Sequence, residues 1–139
     1  LIKYDPKARD KKEVKGFETI AEQGAVFDSI PYETQAKGLL NTIDSFSIYR
    51  NMFDSLLIVY KNQQMNEIEK MMSKTESGLG ESRYIMLDKR NMNWVGQLKK
   101  ILPEKSVFIA VGAGHLSGEN GVIELLEKAG YIVRPLLNK

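Results

Sequence analysis

The last third of the chain constrains the fold most. Ser106-Val-Phe-Ile-Ala-Val111 is an apolar run of strand length that passes directly into Gly112-Ala-Gly-His-Leu-Ser-Gly-Glu-Asn-Gly121. Val122, Leu125, Leu126 and Ala129 then recur at helical spacing, and Gly130 stands where a helix commonly ends in a left-handed cap. Tyr131-Ile-Val-Arg-Pro135 follows as a second short run, closed by its proline. Strand, helix and strand in that order predict a βαβ unit, with parallel neighbouring strands and a right-handed crossover. In parallel sheets ligands collect at the carboxyl ends of strands, so the loop 112–121 is the first place to seek a site.

Upstream, Val14-Lys-Gly-Phe-Glu-Thr19 reads as a short strand and 20–30 as a short helix. Pro31 suits the first turn of a longer helix, because its fixed φ is helical and its missing N–H was unpaired anyway. Tyr32, Ala36, Leu39, Leu40 and Ile43 form an apolar stripe behind it. Phe46, Tyr49, Phe53, Leu56, Leu57 and Tyr60 form a second, and Met65, Ile68 and Met72 a third. Aromatic and methionine stripes at this spacing predict core contacts rather than a cofactor box. Residues 74–82 are polar and glycine-rich, the pattern of a loop. Leu87, Asn91, Trp94, Leu98 and Ile101 mark a further helix, stopped by Pro103.

Composition narrows the function. The chain has 139 residues, no cysteine, a single histidine and a formal charge of +2. Disulfide frameworks, thiol nucleophiles and iron–sulfur sites are excluded, and so is any multi-histidine metal cage built from one copy. The charge is too small to predict a nucleic-acid partner. No apolar run approaches the roughly 20 residues of a membrane helix, and no signal peptide is visible. A start on Leu1 rather than methionine predicts a processed product or an excised piece. Residues 1–13 are rich in lysine and predict a basic segment or linker, leaving 14–139 as the folded part.

Two readings of the glycine loop compete. A dinucleotide loop fails on its third glycine, because Ser117 stands there and Gly118 comes one place late, so no nucleotide is expected. The other reading makes His115 a metal ligand or general base, with Gly112 and Gly114 letting substrate approach the backbone, against the plainer alternative of a histidine hydrogen-bonded inside a tight turn. Glu18 closes the first predicted strand, where it serves either as a carboxylate ligand or base, or as an acid stabilising the next helix N-terminus. Arg90 has Trp94 one helical turn on, so it is either a stacked arginine or a fixed cation for substrate charge. Asn91 either packs within that helix or contacts substrate.

The words Gly-Phe-Glu-Thr (16–19), Phe-Asp-Ser-Ile-Pro (27–31), Arg90-Asn91 with Trp94, and Val-Gly-Ala-Gly-His-Leu (111–116), in that order, resemble the TraB/GumN family. That family is related to the Tiki membrane metalloproteases. The resemblance implies a mixed α/β sheet with packing helices, like the erythromycin-esterase and ChaN-like group, of which this chain would supply the second half. It implies a metal-dependent hydrolase acting on peptides, with a divalent metal of the manganese or cobalt type. His115 and Glu18 would be its ligands, and Arg90 would join them in catalysis. The family's first Gly-x-x-His has no counterpart here. The piece alone is therefore expected to be inactive and to pair with the missing half or self-associate. The rival expectation is a non-catalytic module that sequesters peptides. The resemblance also implies a bacterial envelope or extracytoplasmic location.

Overall fold

The computed structural model describes residues 13–73 and 82–136. The basic opening stretch up to Lys12 and the glycine-rich stretch 74–81 lie outside the described residues. Six α-helices follow in order: α1 (Ile20–Asp28), α2 (Tyr32–Asp44), α3 (Phe46–Lys61), α4 (Met65–Met72), α5 (Lys89–Ile101) and α6 (Val122–Lys128). A wide π turn, Tyr84–Asp88, leads into α5, and a 3-10 turn, Ala113–His115, lies in the glycine loop.

Local chemistry sets the helix ends. Thr19 and Glu22 form a reciprocal capping box at the start of α1. The Glu22 N–H donates to Thr19 Oγ1 at 3.1 Å, and the Thr19 N–H donates to Glu22 Oε2 at 2.7 Å. Pro31 sits one residue outside α2, with extended backbone at ψ 134°. Gly130 has φ +90°, and its N–H reaches the carbonyl of Glu127 while Tyr131 N–H reaches that of Leu126. This doubly hydrogen-bonded stop needs the left-handed conformation that glycine adopts without strain.

The expected mixed sheet is not formed. Among the described residues there is no strand, and the predicted βαβ unit reduces to its helix. The stretches 14–18, 106–111 and 131–135 run unpaired, with no ladder hydrogen bonds between them. Part of their apolar surface stays in the open: Phe108 is 85% exposed and Ile132 81%. A β-favouring composition describes a fit to a pleated, half-covered surface, and without a neighbour the run does not become a strand. The face of α6 that a sheet would have covered packs against α5 instead.

The core is accordingly helical. Trp94 and Val95 of α5 meet Val122 of α6, with Phe17, Val111, Leu125 and Leu126 packed around them. Leu98 and, from α4, Ile68 are also buried. The stripes of α2 and α3 form helices as the spacing predicts, yet neither helix buries a residue. Leu39, Ile43, Phe46 and Phe53 are each more than half exposed, against the expectation of core contacts. Between these helices and α4 lies an apolar groove of about 560 Å³, lined by Phe46, Tyr49, Phe53, Leu56, Met71 and Met72 among others.

Two glycines give opposite expectations. A Cβ on buried Gly121 would lie 2.5 Å from the Ser117 backbone, which cannot yield as a side chain can. Gly121→Ala should therefore destabilise the fold by about 1–3 kcal/mol. Gly24, inside α1, has nothing within 4 Å of such a Cβ, so Gly24→Ala should stabilise by up to about 1 kcal/mol. Urea unfolding midpoints of the two variants should move in opposite directions.

Candidate functional site

The site is assembled on Trp94, an indole only 6% exposed. Phe17 stacks on it, with ring centroids 5.6 Å apart and planes 19° from parallel. The His115 ring lies 4.4 Å away at a 41° tilt. The Arg90 guanidinium carbon is 5.1 Å from the ring centroid, within the range of a cation–π contact. Arg90, Asn91 and Trp94 share one face of α5 because residues three and four apart are neighbours on a helix. The N-terminal stretch is tied down by Gln97, whose Nε2 donates to the Phe17 carbonyl at 3.0 Å.

Glu18 is free to join this cluster because capping is done by its neighbours. Thr19 and Glu22 satisfy the start of α1, so the Glu18 carboxylate turns to Arg90. Arg90 Nη2 donates to Glu18 Oε2 at 2.7 Å, and Nε lies 3.0 and 3.1 Å from the two carboxylate oxygens. The third guanidinium nitrogen, Nη1, donates to the Met86 carbonyl in the π turn at 3.0 Å. Hydrogen bonding from Arg90 holds Glu18 below the ordinary 4.5, although burial opposes it. The carboxylate is covered by its partners but lies near the molecular surface, so solvent still screens the pair.

His115 arrives from the glycine loop on the 3-10 turn, its N–H donating to the Gly112 carbonyl at 2.9 Å. Its Nδ1 is 2.7 Å from Asn91 Oδ1. Burial is the first cause that lowers His115 below its ordinary 6.5; the Arg90 charge adds to it and Glu18 partly offsets it. The ring is therefore neutral at neutral pH. A Cβ on Gly114 would come within 2.8 Å of Met72 Cε, the flexible end of a side chain that can move aside. Gly112 has only ordinary contact, 3.8 Å to His115 Cδ2.

Four predicted site residues, Glu18, Arg90, Asn91 and His115, are thus brought together although they come from three separate stretches. Arg90 stacks on Trp94, as one of its two expected readings had it, and also grips Glu18. Phe17 and Trp94 as the shared platform were not foreseen; the signal was an aromatic directly before Glu18 and another one turn after Arg90. A second ionic cluster also went unread. Arg83 bonds Glu69 at 2.8 and 3.1 Å and lies 3.9 Å from Asp88.

The donors for a metal are met only in part. His115 offers one ring nitrogen, but both Glu18 oxygens are occupied by Arg90. Among the described residues no group of three or more histidine or acidic side chains could hold a metal ion. These residues do not fit a metal centre on their own. No helix among them is long and apolar enough to cross a membrane.

The arrangement defines a helical scaffold carrying a neutral imidazole, a carboxylate and a guanidinium on one buried aromatic platform. The chain belongs to the TraB/PrgY/gumN family, whose model matches residues 7–135. It is also similar to the metalloprotease TIKI1 of Xenopus tropicalis, at 44% identity over 54 residues. That match spans 37% of this chain and 11% of the relative, so the chain accounts for a small part of the relative's length. No solved structure matches the chain.

The two shifts set a pH dependence with one sign. The folded state takes a proton on His115 less readily than the unfolded chain, so that contribution is full above pH 6.5 and is lost as pH falls through the lowered folded value. Glu18 acts likewise from 4.5 downward. Calorimetric melting temperatures should fall on acidification in two stages, and His115→Asn should remove the upper one.

Proposed function

We propose that this chain carries part of the reactive site of a TraB-type hydrolase acting on peptides. The observation that supports the reading is the convergence of His115, Glu18 and Arg90 on Trp94, with Arg90 lying 72 residues beyond Glu18. The peptide substrate class comes from the family membership and the metalloprotease relative, not from the site's shape.

In this reading neutral His115 has a lone pair at neutral pH to take a proton from an attacking water. Arg90 is the cation for the oxyanion that develops on a cleaved amide. Glu18 holds Arg90 in place at rest, and an oxyanion competing for the guanidinium frees the carboxylate to act as a base. A divalent metal would supply a polarised water, and would need donors from beyond the described residues. The engagement of Glu18 by Arg90 favours the second reading, a module that binds peptides without cleaving them.

Mass spectrometry of peptide mixtures incubated with the full-length protein, with and without manganese or cobalt, separates the two. Cleavage that drops by about 100-fold or more in His115→Ala supports the hydrolase. Peptide binding that survives Glu18→Ala, with no cleavage by the wild type, supports sequestration instead.

The open apolar stripes of α2 and α3 lead to another expectation. An uncovered face of that kind is costly in water, so the 139-residue chain alone should self-associate. Sedimentation showing only monomer at high concentration would contradict this.

A further inference from the structure

We infer that Asn91 is the positioning residue that fixes His115 in its Nδ1–H form, leaving Nε2 as the nitrogen with the reactive lone pair. The argument starts at the far end of the amide. Asn91 Nδ2 lies 2.8 Å from the Asn120 carbonyl oxygen. A carbonyl can only accept, so the amide end facing it must be the NH2 group. That leaves Oδ1 facing His115 Nδ1 at 2.7 Å. Oδ1 cannot donate, so the proton between them belongs to Nδ1. The orientation of the amide is settled by its partners rather than by the shape of the side chain.

The arrangement is held rigidly. Asn91 is 2% exposed on α5, in the row that also carries Trp94. Rotating its amide would set Oδ1 against the Asn120 carbonyl oxygen, two acceptors face to face, and leave buried polar atoms unmatched. The Asn120 carbonyl is fixed in turn by the tight turn that contains it, where Gly121 N–H donates to the Gly118 carbonyl at 2.9 Å. The His115 ring also rests at a tilt against Trp94. An amide in this place orients the imidazole without adding a charge, which a carboxylate partner would do. Asn91, with both amide ends engaged and almost no exposed surface, acts through His115 rather than on a substrate.

The inference concerns the ring itself, and only its catalytic meaning rests on the hydrolase reading. His115 is the single histidine of these 139 residues, and the spectrum of His115→Asn identifies its ring in long-range proton–nitrogen correlation spectra of the 15N-labelled full-length protein. At a pH where the ring is neutral, the wild type should show a protonated Nδ1 and an unprotonated Nε2. A protonated Nε2 would overturn the inference outright. Asn91→Asp keeps an acceptor and should keep the Nδ1–H pattern. Asn91→Leu removes it and should release the ring toward the Nε2–H form or a mixture; an unchanged pattern in that folded variant would also overturn the inference. In a peptide assay Asn91→Leu should lower kcat by about 10-fold or more with KM nearly unchanged. Absence of any cleavage would count against the hydrolase reading while leaving the nitrogen pattern to stand or fall by itself.

Discussion

The stacking of Phe17, His115 and Arg90 around one buried indole is the contact on which the rest of the site depends. Trp94 offers each partner what its chemistry requires. Phe17 lies nearly parallel at 5.6 Å, which favours offset ring contact. The guanidinium meets the π face, and the imidazole tilts against it. Because Trp94 is also a member of the central core with Val95 and Val122, the geometry of the site is tied to the packing of α5 on α6. The imidazole, carboxylate and guanidinium therefore meet on a residue of the core, although loop segments deliver two of them.

Electrostatics then divides the labour among the three polar groups. The Glu18–Arg90 pair is internally neutralised, with Arg90 also satisfied by the Met86 carbonyl. The nearby guanidinium works with burial to keep His115 uncharged. Burial of the imidazole and the Arg90 charge thus leave a carboxylate ionised beside a neutral ring at the same pH. Both shifts run toward the deprotonated form, so an anion and a neutral ring with a lone pair stand side by side. The same pairing also means that Glu18 has no free oxygen until something competes for Arg90.

The site was legible in the sequence to a greater degree than the fold. Helical spacing placed Arg90, Asn91 and Trp94 on one face, and the run into Gly112–His115 left the histidine open between a site residue and one held within a tight turn. The helices at 20–28, 32–44, 46–61 and 65–72 follow their stripes closely. What failed was the sheet. Val107, Phe108 and Ile109 have the composition of a strand, but strand formation depends on partners that local sequence does not encode, and none lies beside them among the described residues. The same gap explains α2 and α3: periodicity reveals which face of a helix is apolar, and says nothing of what covers it. Asn91 was recognised as a candidate, but its contact with His115 spans 24 residues and no spacing rule reports it.

The π turn at Tyr84–Asp88 has a consequence for how this face is oriented. Such a turn accommodates one residue more than an α-helix of the same rise. Each helical residue advances the azimuth by about 100°, so everything beyond the turn is rotated relative to what precedes it. Leu87 within the turn and the Arg90–Trp94 row after it can then address different neighbours along one continuous rod. Loss of a single residue from that turn would leave a regular helix with every side chain chemically intact. Because Trp94, Val95 and Leu98 hold α5 in the core, the turn of about 100° would fall on Arg83 and carry its guanidinium away from Glu69, so the aim of that ion pair is stored in a count of residues rather than in any one of them.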